Sequence, residues 1–443
     1  MPAPAPTRPP YMLIEQIQVK GYKSLVDATL HVRPLTLLAG TNSSGKSSIM
    51  QPLLLIKQTM EAPYQPAGAL VLDGAHVQAE TAGELVSRNT PDKTVLLTVR
   101  GSESNALEID GLIQLSFLQE GTLFSISSQR FSSGSQSLLL TPSSSWQEIS
   151  SQNIPVLKRP PNKAFVNSVV QIKNAFLRFT TIDSAGKFVL DILPAANLEG
   201  SLVNLMHIPG LRNRPERSYP ATTFQNQVKG TFDFYAAGTI SQWQQEGNIE
   251  ALTQLNDYLR RLGLTDSVTA KVKNANEVEL SVSRLPAGSK GKPKKADLVN
   301  IADVGIGVSQ VLPILVALIA AQEGQLVYVE QPELHLHPRA QVVMAELLAE
   351  AANRGVRVIV ETHSSLLLLT VQTLIAENKI KNTDVGLHWF ARDAKGATQV
   401  TYVQPDEDGA YGDWPEDFGD VELKAQDAYL TAVGLRHFGN APK

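Results

Sequence analysis

Apolar and polar residues alternate with a period of two from Met12 to Lys20 (MLIEQIQVK). This predicts a strand with Leu13, Glu15, Ile17 and Val19 on one side. Gly21 is expected to break it, and Leu25 to Val32 resumes the pattern. Pro34 to Ala39 (PLTLLA) is a short, nearly unbroken apolar run, the mark of a strand buried on both faces. Ser48 to Met60 carries apolar residues at helical spacing, and Leu70 to Leu72 and Thr94 to Arg100 read as strands. From about 100 to 230 the pattern changes. Strand-like pieces at Leu107–Ile109, Leu112–Leu118 and Thr122–Ser127 alternate with Ser/Gly-rich turns, and Ser132 to Ser145 is expected as a surface loop. Thr239 to Leu262 predicts one helix, and Val268–Val272 with Glu277–Val282 a hairpin. After residue 300 an α/β pattern returns. Helices are expected at Val304–Ala321, Pro338–Asn353 and Ser365–Glu377. Buried strands are expected at Gln325–Val329 and Val356–Val360, with a late strand holding Trp389 and Phe390.

Between the PLTLLA strand and its helix lie Gly40, Thr41, Asn42, Ser43, Ser44, Gly45, Lys46, Ser47 and Ser48. They fit G-x-x-x-x-G-K-[ST] in the strand–loop–helix setting that this phosphate-binding motif requires. Glycines let successive backbone N–H groups face one anion, and the helix N-terminus adds partial positive charge. Lys46 is expected to reach the β/γ-phosphates of ATP and the Ser47 hydroxyl to ligate Mg²⁺.

Composition narrows the setting. At 443 residues and 43% apolar content, the chain is long enough for two or three domains or one large domain with an insertion. The absence of cysteine excludes disulfides, Cys-zinc sites and thiol nucleophiles. The Pro-rich start lacks a secretory h-region and no run of 18 apolar residues exists, so a cytoplasmic protein with no membrane contact is expected. The net charge of −4 is uneven: +1 over residues 1–95, +4 over 96–299 and −9 over 300–443. No whole-protein basic footprint argues for nucleic acid. A local contact falls on the loop Arg284 to Lys295, through Lys290, Lys292, Lys294 and Lys295, with a solvated hairpin tip as the plainer reading. Arg212, Arg214 and Arg217 read first as surface salt-bridge residues.

The far half supplies what a phosphate loop lacks. The strand QLVYV runs into Glu330-Gln331-Pro332-Glu333, and an acid at such a strand end, beside the phosphate-loop strand, can hold Mg²⁺ through its water shell; Glu330 is the candidate. The strand VRVIV runs into Glu361-Thr362-His363-Ser364, where His363 can face the γ-phosphate.

With these motifs in hand, the chain resembles the ABC-type P-loop ATPases with SMC-like heads, near the RecF and OLD ATPases. It is most similar to bacterial "AAA family" ATPases that end in a short Trp-Pro-containing domain. The carrying motifs are GYKSL (21–25), GTNSSGKSS (40–48), HIPGLRNRPERSYP (207–220), DVGIGVSQVLP (303–313), YVEQPELHLHP (328–338), ETHS (361–364) and GDWPEDF (412–418). The resemblance implies an α/β P-loop NTPase head with a β-rich plus helical insertion between the halves of its nucleotide core. The expected divisions are a disordered tail at 1–10, core at 11–95, insertion at 96–299, core at 300–402 and a short acidic segment at 403–443. It also implies heads that dimerise head to tail, as a homodimer or higher homo-oligomer, with ATP at the interface. Gly305, Gly307, Ser309 and Gln310 would then act as a signature segment in trans. His363 is carried over as the switch histidine, and His335 and His337 as part of a structural turn rather than a metal pair. The general family carries Asp-Glu where this chain has Glu330-Gln331. Either Gln331 orients the attacking water or Glu333 supplies the carboxylate, and hydrolysis is expected to be slow or partner-dependent. The expected role is an ATPase switch that controls a separately encoded effector, a nuclease or toxin, in phage defence or DNA maintenance. The alternatives are a RecF-like DNA-binding repair ATPase and, behind it, the ATPase subunit of a transporter.

Overall fold

The structure is a computed structural model that describes residues 11–64, 66–103, 110–152, 165–183, 188–212, 214–223, 228–284, 297–412, 427–433 and 436. The expected 1–10 tail, the Leu107–Ile109 piece, the four loop lysines and the Trp414 and Phe418 segment lie outside the described residues.

Strands β1 (Met12–Tyr22), β2 (Leu25–His31) and β3 (Leu35–Gly40) open the chain, followed by helix α1 (Gln51–Glu61). Strands β4 (Thr94–Glu103), β5 (Asp110–Glu120), β6 (Leu123–Ser133) and β7 (Gln136–Leu140) come next, then α2 (Trp146–Ser150), β8 (Phe165–Lys173), β9 (Phe176–Asp183) and β10 (Phe188–Ile192). Helix α3 (Ala196–Asn204) leads to β11 (Met206–Ile208) and β12 (Tyr219–Pro220), and α4 (Ala236–Glu246) and α5 (Ile249–Arg261) lead to β13 (Val268–Asn274), β14 (Glu277–Ser283) and β15 (Leu298–Asn300). The last third is α6 (Ile306–Ala320), β16 (Leu326–Glu330), α7 (Pro338–Asn353), β17 (Arg357–Glu361), α8 (Ser365–Ala376), β18 (Val385–Arg392) and β19 (Thr398–Val403).

The central sheet runs β11-β16-β17-β3-β18-β19 and is parallel except for the β19 edge. Its strands are buried on both faces, which is why they read as continuous apolar runs. Leu35, Leu37, Val327, Val329, Val358 and Val360 face one core with α6, α7 and α8. Leu38, Tyr328 and Ile359 face the other, with α1 and the first sheet. That first sheet runs β2-β1-β4-β5-β6-β7 and is antiparallel. The expected division at 95/96 thus falls inside β4, and residues 206–208 form the β11 edge of the central sheet. Two smaller sheets, β10-β9-β8 and β12-β14-β13 with β15 on β14, complete the β content among the described residues.

Several local expectations are corrected. β1 does not stop at Gly21 but continues to Tyr22, because glycine alone accepts φ +71 with the Thr94 carbonyl 2.2 Å from where a Cβ would sit. Its alternation slips at a bulge between Ile14 and Gln16. Met12 and Ile14 are buried before it, Ile17 and Val19 after it, and Leu13 and Glu15 point the other way. The expected helix at 239–262 is two, split at Gly247, whose φ of +68 makes a left-handed C-cap. The 132–145 segment is not a loop throughout: Gly134 turns the chain and Leu138 and Leu140 are buried in β7. Leu70 to Leu72 is buried but lies outside any strand.

Helix α1 is fixed by a lysine. Lys57 is 1% exposed. Its ammonium pairs with Glu61 at 2.9 Å and donates to the carbonyls of Val228, Leu202 and Val203 at 2.6, 3.1 and 3.3 Å. Removing one partner of a buried charged network leaves the others unpaired, at a cost of roughly 3 kcal/mol. Lys57→Met is therefore expected to lower the urea midpoint by about that free energy with an unchanged denaturant slope. An unchanged midpoint would show that this clamp contributes nothing.

Candidate active site

The site is assembled where β3, β17 and β16 end. Gly40 has φ +143, and a Cβ there would lie 2.1 Å from the Phe390 carbonyl, so only glycine lets β3 turn into the loop against β18. Ser43 takes φ +57, and Arg392 Nε donates to its carbonyl at 2.6 Å. The Thr398 hydroxyl donates to the Ser44 carbonyl at 2.7 Å. The loop ends in a 3-10 turn, Ser47–Ile49, and α1 begins only at Gln51, later than the pattern suggested. Lys46 is 3% exposed. Its ammonium donates to the carbonyls of Gly40 and Thr41 at 3.1 and 2.8 Å. Burial lowers its pKa, opposed by the charges of Glu361 and Glu333.

The order of the strands corrects one expectation. The neighbour of β3 is β17, not β16, so the acid at the end of the adjacent strand is Glu361. Glu361 and Glu330 are register partners across β17 and β16, on the face that carries α1. Tyr328, two residues before Glu330, is fully buried, and its hydroxyl donates to Glu361 Oε2 at 3.1 Å. Burial pushes the Glu361 carboxyl up, and Glu330 adds to the rise, while the Ser47 hydroxyl and Lys46 pull it back. Glu330 behaves oppositely. Burial alone would raise it, but His207 and the Gly210 N–H outweigh that and hold it below the usual range. His207 Nε2 is 3.2 Å from Glu330 Oε1, and the Gly210 N–H donates to Oε2 at 3.0 Å.

His207 also starts a buried chain. Its Nδ1 lies 2.9 Å from His76 Nδ1, and His76 Nε2 lies 3.3 Å from Glu61 Oε2. Glu61 pairs with Lys57, so side chains link the Glu330 carboxylate to the far end of α1. Burial lowers the His76 pKa to about 4.

The arginine cluster divides. Arg217 makes the expected surface pair, with Asp303 at 2.7 Å, and Arg214 is exposed. Arg212 does not: it is 9% exposed, and its Nη2 donates to the carbonyls of Glu330 and Gln331 at 2.7 and 3.3 Å. It supports the strand end just where Gln331 adopts φ +46. Burial lowers its pKa to about 10.

Glu333 and His363 are brought together. The His363 N–H donates to Glu333 Oε1 at 2.7 Å, while Glu333 Oε2 is buried and has no hydrogen bond among the described residues. Burial raises the Glu333 pKa and lowers that of His363, which Lys46 lowers further. Both line a cleft of about 390 Å³ with Pro338, Gln341, Ser364, Ser365 and Leu366. Gly305 caps α6, with open space around it and no side-chain cap. A Cβ on Gly307 would lie 3.9 Å from the His335 carbonyl, so this turn sits beside the 334–336 turn. Ile306 is half-exposed and the Ser309 hydroxyl bonds to the Ile306 carbonyl at 2.9 Å, whereas Gln310 is buried and turned away from the open face. His335 is exposed, and His337 caps α7 by accepting the Arg339 N–H at 3.3 Å. Among the described residues no group of three or more His, Asp or Glu is placed to hold a metal ion, and no helix is long and apolar enough to cross a membrane.

The residues missed from sequence are Glu361, Arg212, His207 and Tyr328. All four stood inside motifs already singled out: Glu361 in ETHS, Tyr328 in YVEQPELHLHP, and His207 and Arg212 in HIPGLRNRPERSYP.

A family model described as "AAA domain, putative AbiEii toxin, Type IV TA system" matches residues 154–369, and one described as "AAA ATPase domain" matches residues 12–177. No curated protein matches. Among solved structures, the chain is similar to an Smc head bound to the C-winged helix domain of ScpA, at 13% identity over 88% of this chain and 97% of that one, with a TM-score of 0.45. It is also similar to an Smc head with an extended coiled coil bound to the C-terminal domain of ScpA, derived from Pyrococcus furiosus, at 13% identity over 96% and 99%, TM-score 0.46. A third is the SMC head domain from Thermotoga maritima, at 11% identity over 88% and 98%, TM-score 0.38.

Gly45 tests the loop geometry. It has φ +101, and a Cβ would lie 2.6 Å from Thr398 Oγ1 and 3.1 Å from Ser24 Oγ. Gly45→Ala is expected to weaken binding of a fluorescent ATP analogue about tenfold or more, with strain of this kind costing roughly 1–3 kcal/mol. Circular dichroism should show the fold retained. Unchanged binding would mean that the loop does not hold the phosphates in this conformation.

Proposed function

Because family models of the AAA ATPase type match residues 12–177 and 154–369, we propose that the chain is a Mg-ATP-driven switch whose heads close as a homodimer around nucleotide and reopen on hydrolysis. The observation that carries this reading is the convergence of Lys46, Glu330, Glu333, Glu361 and His363 on the ends of three adjacent parallel strands. The residues fit ATP and Mg²⁺. Among the described residues Lys46 donates its hydrogen bonds to loop carbonyls that a phosphate can replace, and the Ser47 hydroxyl and the carboxylates form a hard oxygen set of the kind magnesium prefers. Bound Mg²⁺ supplies neutralisation of phosphate charge. Ser47 and Glu330 would hold it, and the loop N–H groups from Thr41 to Ser48 would cradle the phosphates.

Glu333 is the better base for the attacking water. Glu333 lines the cleft, the His363 N–H fixes one of its oxygens, and its raised pKa suits proton transfer. Gln331 lies against Gly210, where it can orient water but cannot take its proton. His363 would sense the γ-phosphate beside Glu333. The exposed turn with Gly305, Gly307 and Ser309 suits contact with nucleotide held by a second copy, since a helix start with no side-chain cap can approach an anion closely. Exposed Leu211 and half-exposed Ile306, beside the strand end and at the signature turn, give that face an apolar component. The output is proposed to control a separately encoded effector, in phage defence or DNA maintenance. The toxin–antitoxin wording of one matching family supports that setting.

Purified protein is expected to hydrolyse Mg-ATP in a Lys46-dependent manner, with Lys46→Ala as the blank. Glu333→Gln should remove most turnover. It should also abolish the acid-side fall in kcat, because only ionised Glu333 accepts a proton and its ionisation lies above the ordinary carboxylate range. Turnover that survives Lys46→Ala would reject the site. Composite sites make a further demand. Lys46→Ala and Ser309→Arg should each be inactive, yet their mixture should regain part of the activity, since a mixed dimer restores one intact head-to-tail site. No recovery from mixed dimers would reject action in trans.

A further inference from the structure

We propose that Thr398 is a positioning residue for the phosphate loop: its hydroxyl holds the Ser44 carbonyl away from the anion, and with Arg392 it makes the β18–β19 hairpin a clamp that keeps the loop in its phosphate-binding shape. The proposal rests on the ATPase reading above and deepens it. Hydrogen bonds between distant segments carry the argument. Thr398 is 3% exposed, and its hydroxyl donates to the Ser44 carbonyl at 2.7 Å. Its N–H donates to the Ser24 carbonyl at 2.8 Å, and the Thr398 and Ser24 hydroxyls lie 2.8 Å apart. Thr398 has one O–H to give and the Ser44 carbonyl can only accept, so the Ser24 hydroxyl is the donor to Thr398. A relay thus runs from Ser24 through Thr398 to Ser44. It gives a task to the serine of GYKSL, a motif that the catalytic residues leave unused.

Arg392 makes the second grip. It stands directly across from Thr398 in the antiparallel β18–β19 pairing, and its Nε donates to the Ser43 carbonyl at 2.6 Å. One opposed pair of residues therefore holds two successive carbonyls of the loop. In a trans peptide the carbonyl and the N–H that follows it point in opposite directions. Holding the Ser43 and Ser44 carbonyls toward the hairpin turns the N–H groups of Ser44 and Gly45 to the other side, where an anion in the loop would lie. Gly45 is so close to the grip that a Cβ would come 2.6 Å from Thr398 Oγ1. The hairpin is itself firmly built. The Asp393 carboxylate accepts the N–H groups of Lys395 and Ala397 at 2.9 Å each, and β18 pairs with β3 as far as Phe390 opposite Gly40. A loop whose shape is fixed before the ligand arrives loses less freedom on binding.

The experiment reads the affinity of a fluorescent non-hydrolysable ATP analogue in EDTA, beside thermal unfolding of the nucleotide-free protein. Thr398→Val keeps the shape and removes the hydroxyl. It should weaken binding about tenfold, the scale of one hydrogen bond, and Thr398→Ser should recover most of the affinity. Ser24→Ala should weaken binding less than Thr398→Val and add little on top of it, because both act through one relay. Arg392 is exposed, so Arg392→Ala tests the clamp even where Thr398→Val does not fold, and it should weaken binding several-fold. Unchanged affinity in Thr398→Val overturns the proposal, even with a lowered melting temperature, which would mark Thr398 as structural support alone. So does a loss that Thr398→Ser fails to recover, and so does unchanged affinity in Arg392→Ala. Failure of the wild-type protein to bind the analogue at all would instead overturn the ATPase reading.

Discussion

Burial of charge at the C-terminal ends of three adjacent interior strands is the constraint on which the structure depends. Lys46 and Glu361 are buried, and Glu330 and Glu333 are partly buried, within a few residues of the ends of β3, β16 and β17. Buried charges cost several kcal/mol each unless they are paired and hydrogen-bonded. The surrounding chain supplies those partners in pieces from distant segments: the Gly210 N–H and His207 for Glu330, the His363 N–H for Glu333, and Tyr328 for Glu361. Arg212 secures the backbone beneath them. What remains unsatisfied is informative. Lys46 leans on carbonyls of its own loop, and one oxygen of Glu333 has no partner among the described residues.

The same constraint explains why the middle of the chain cannot be lifted out as a separate insertion. β11 is the edge strand beside β16, and the residues just after it support Glu330. The His207, His76, Glu61 and Lys57 chain then connects that support to the end of α1, the helix that begins at the phosphate loop. A change at Glu330 and a shift of α1 therefore act on one set of buried contacts. Coupling of that kind is what a nucleotide switch requires of its core.

Much of this was legible from the residues alone. The phosphate loop is a local signal, since Gly40, Gly45, Lys46 and Ser47 owe their roles to neighbours in sequence. The strand-end residues Glu330, Glu333 and His363 were legible because buried parallel strands read as apolar runs whose ends are easy to mark. Glu361 and Arg212 were harder, for a physical reason. Their roles depend on which strands lie side by side, and apolar runs do not encode lateral order. Without that order β16 looks like the neighbour of β3, and Arg212 looks like one more surface arginine. The helix split at Gly247 and the bulge after Ile14 were missed because a single left-handed residue or one slipped register leaves the average periodicity nearly intact.

The central claim is that nucleotide at this site joins two copies of the chain. Light-scattering molar mass, measured with and without Mg²⁺ and a non-hydrolysable ATP analogue, tests it most directly. The account predicts that the mass doubles when the analogue is bound and that Lys46→Ala stays at its nucleotide-free mass. A wild-type mass that does not change while the analogue is demonstrably bound would contradict it.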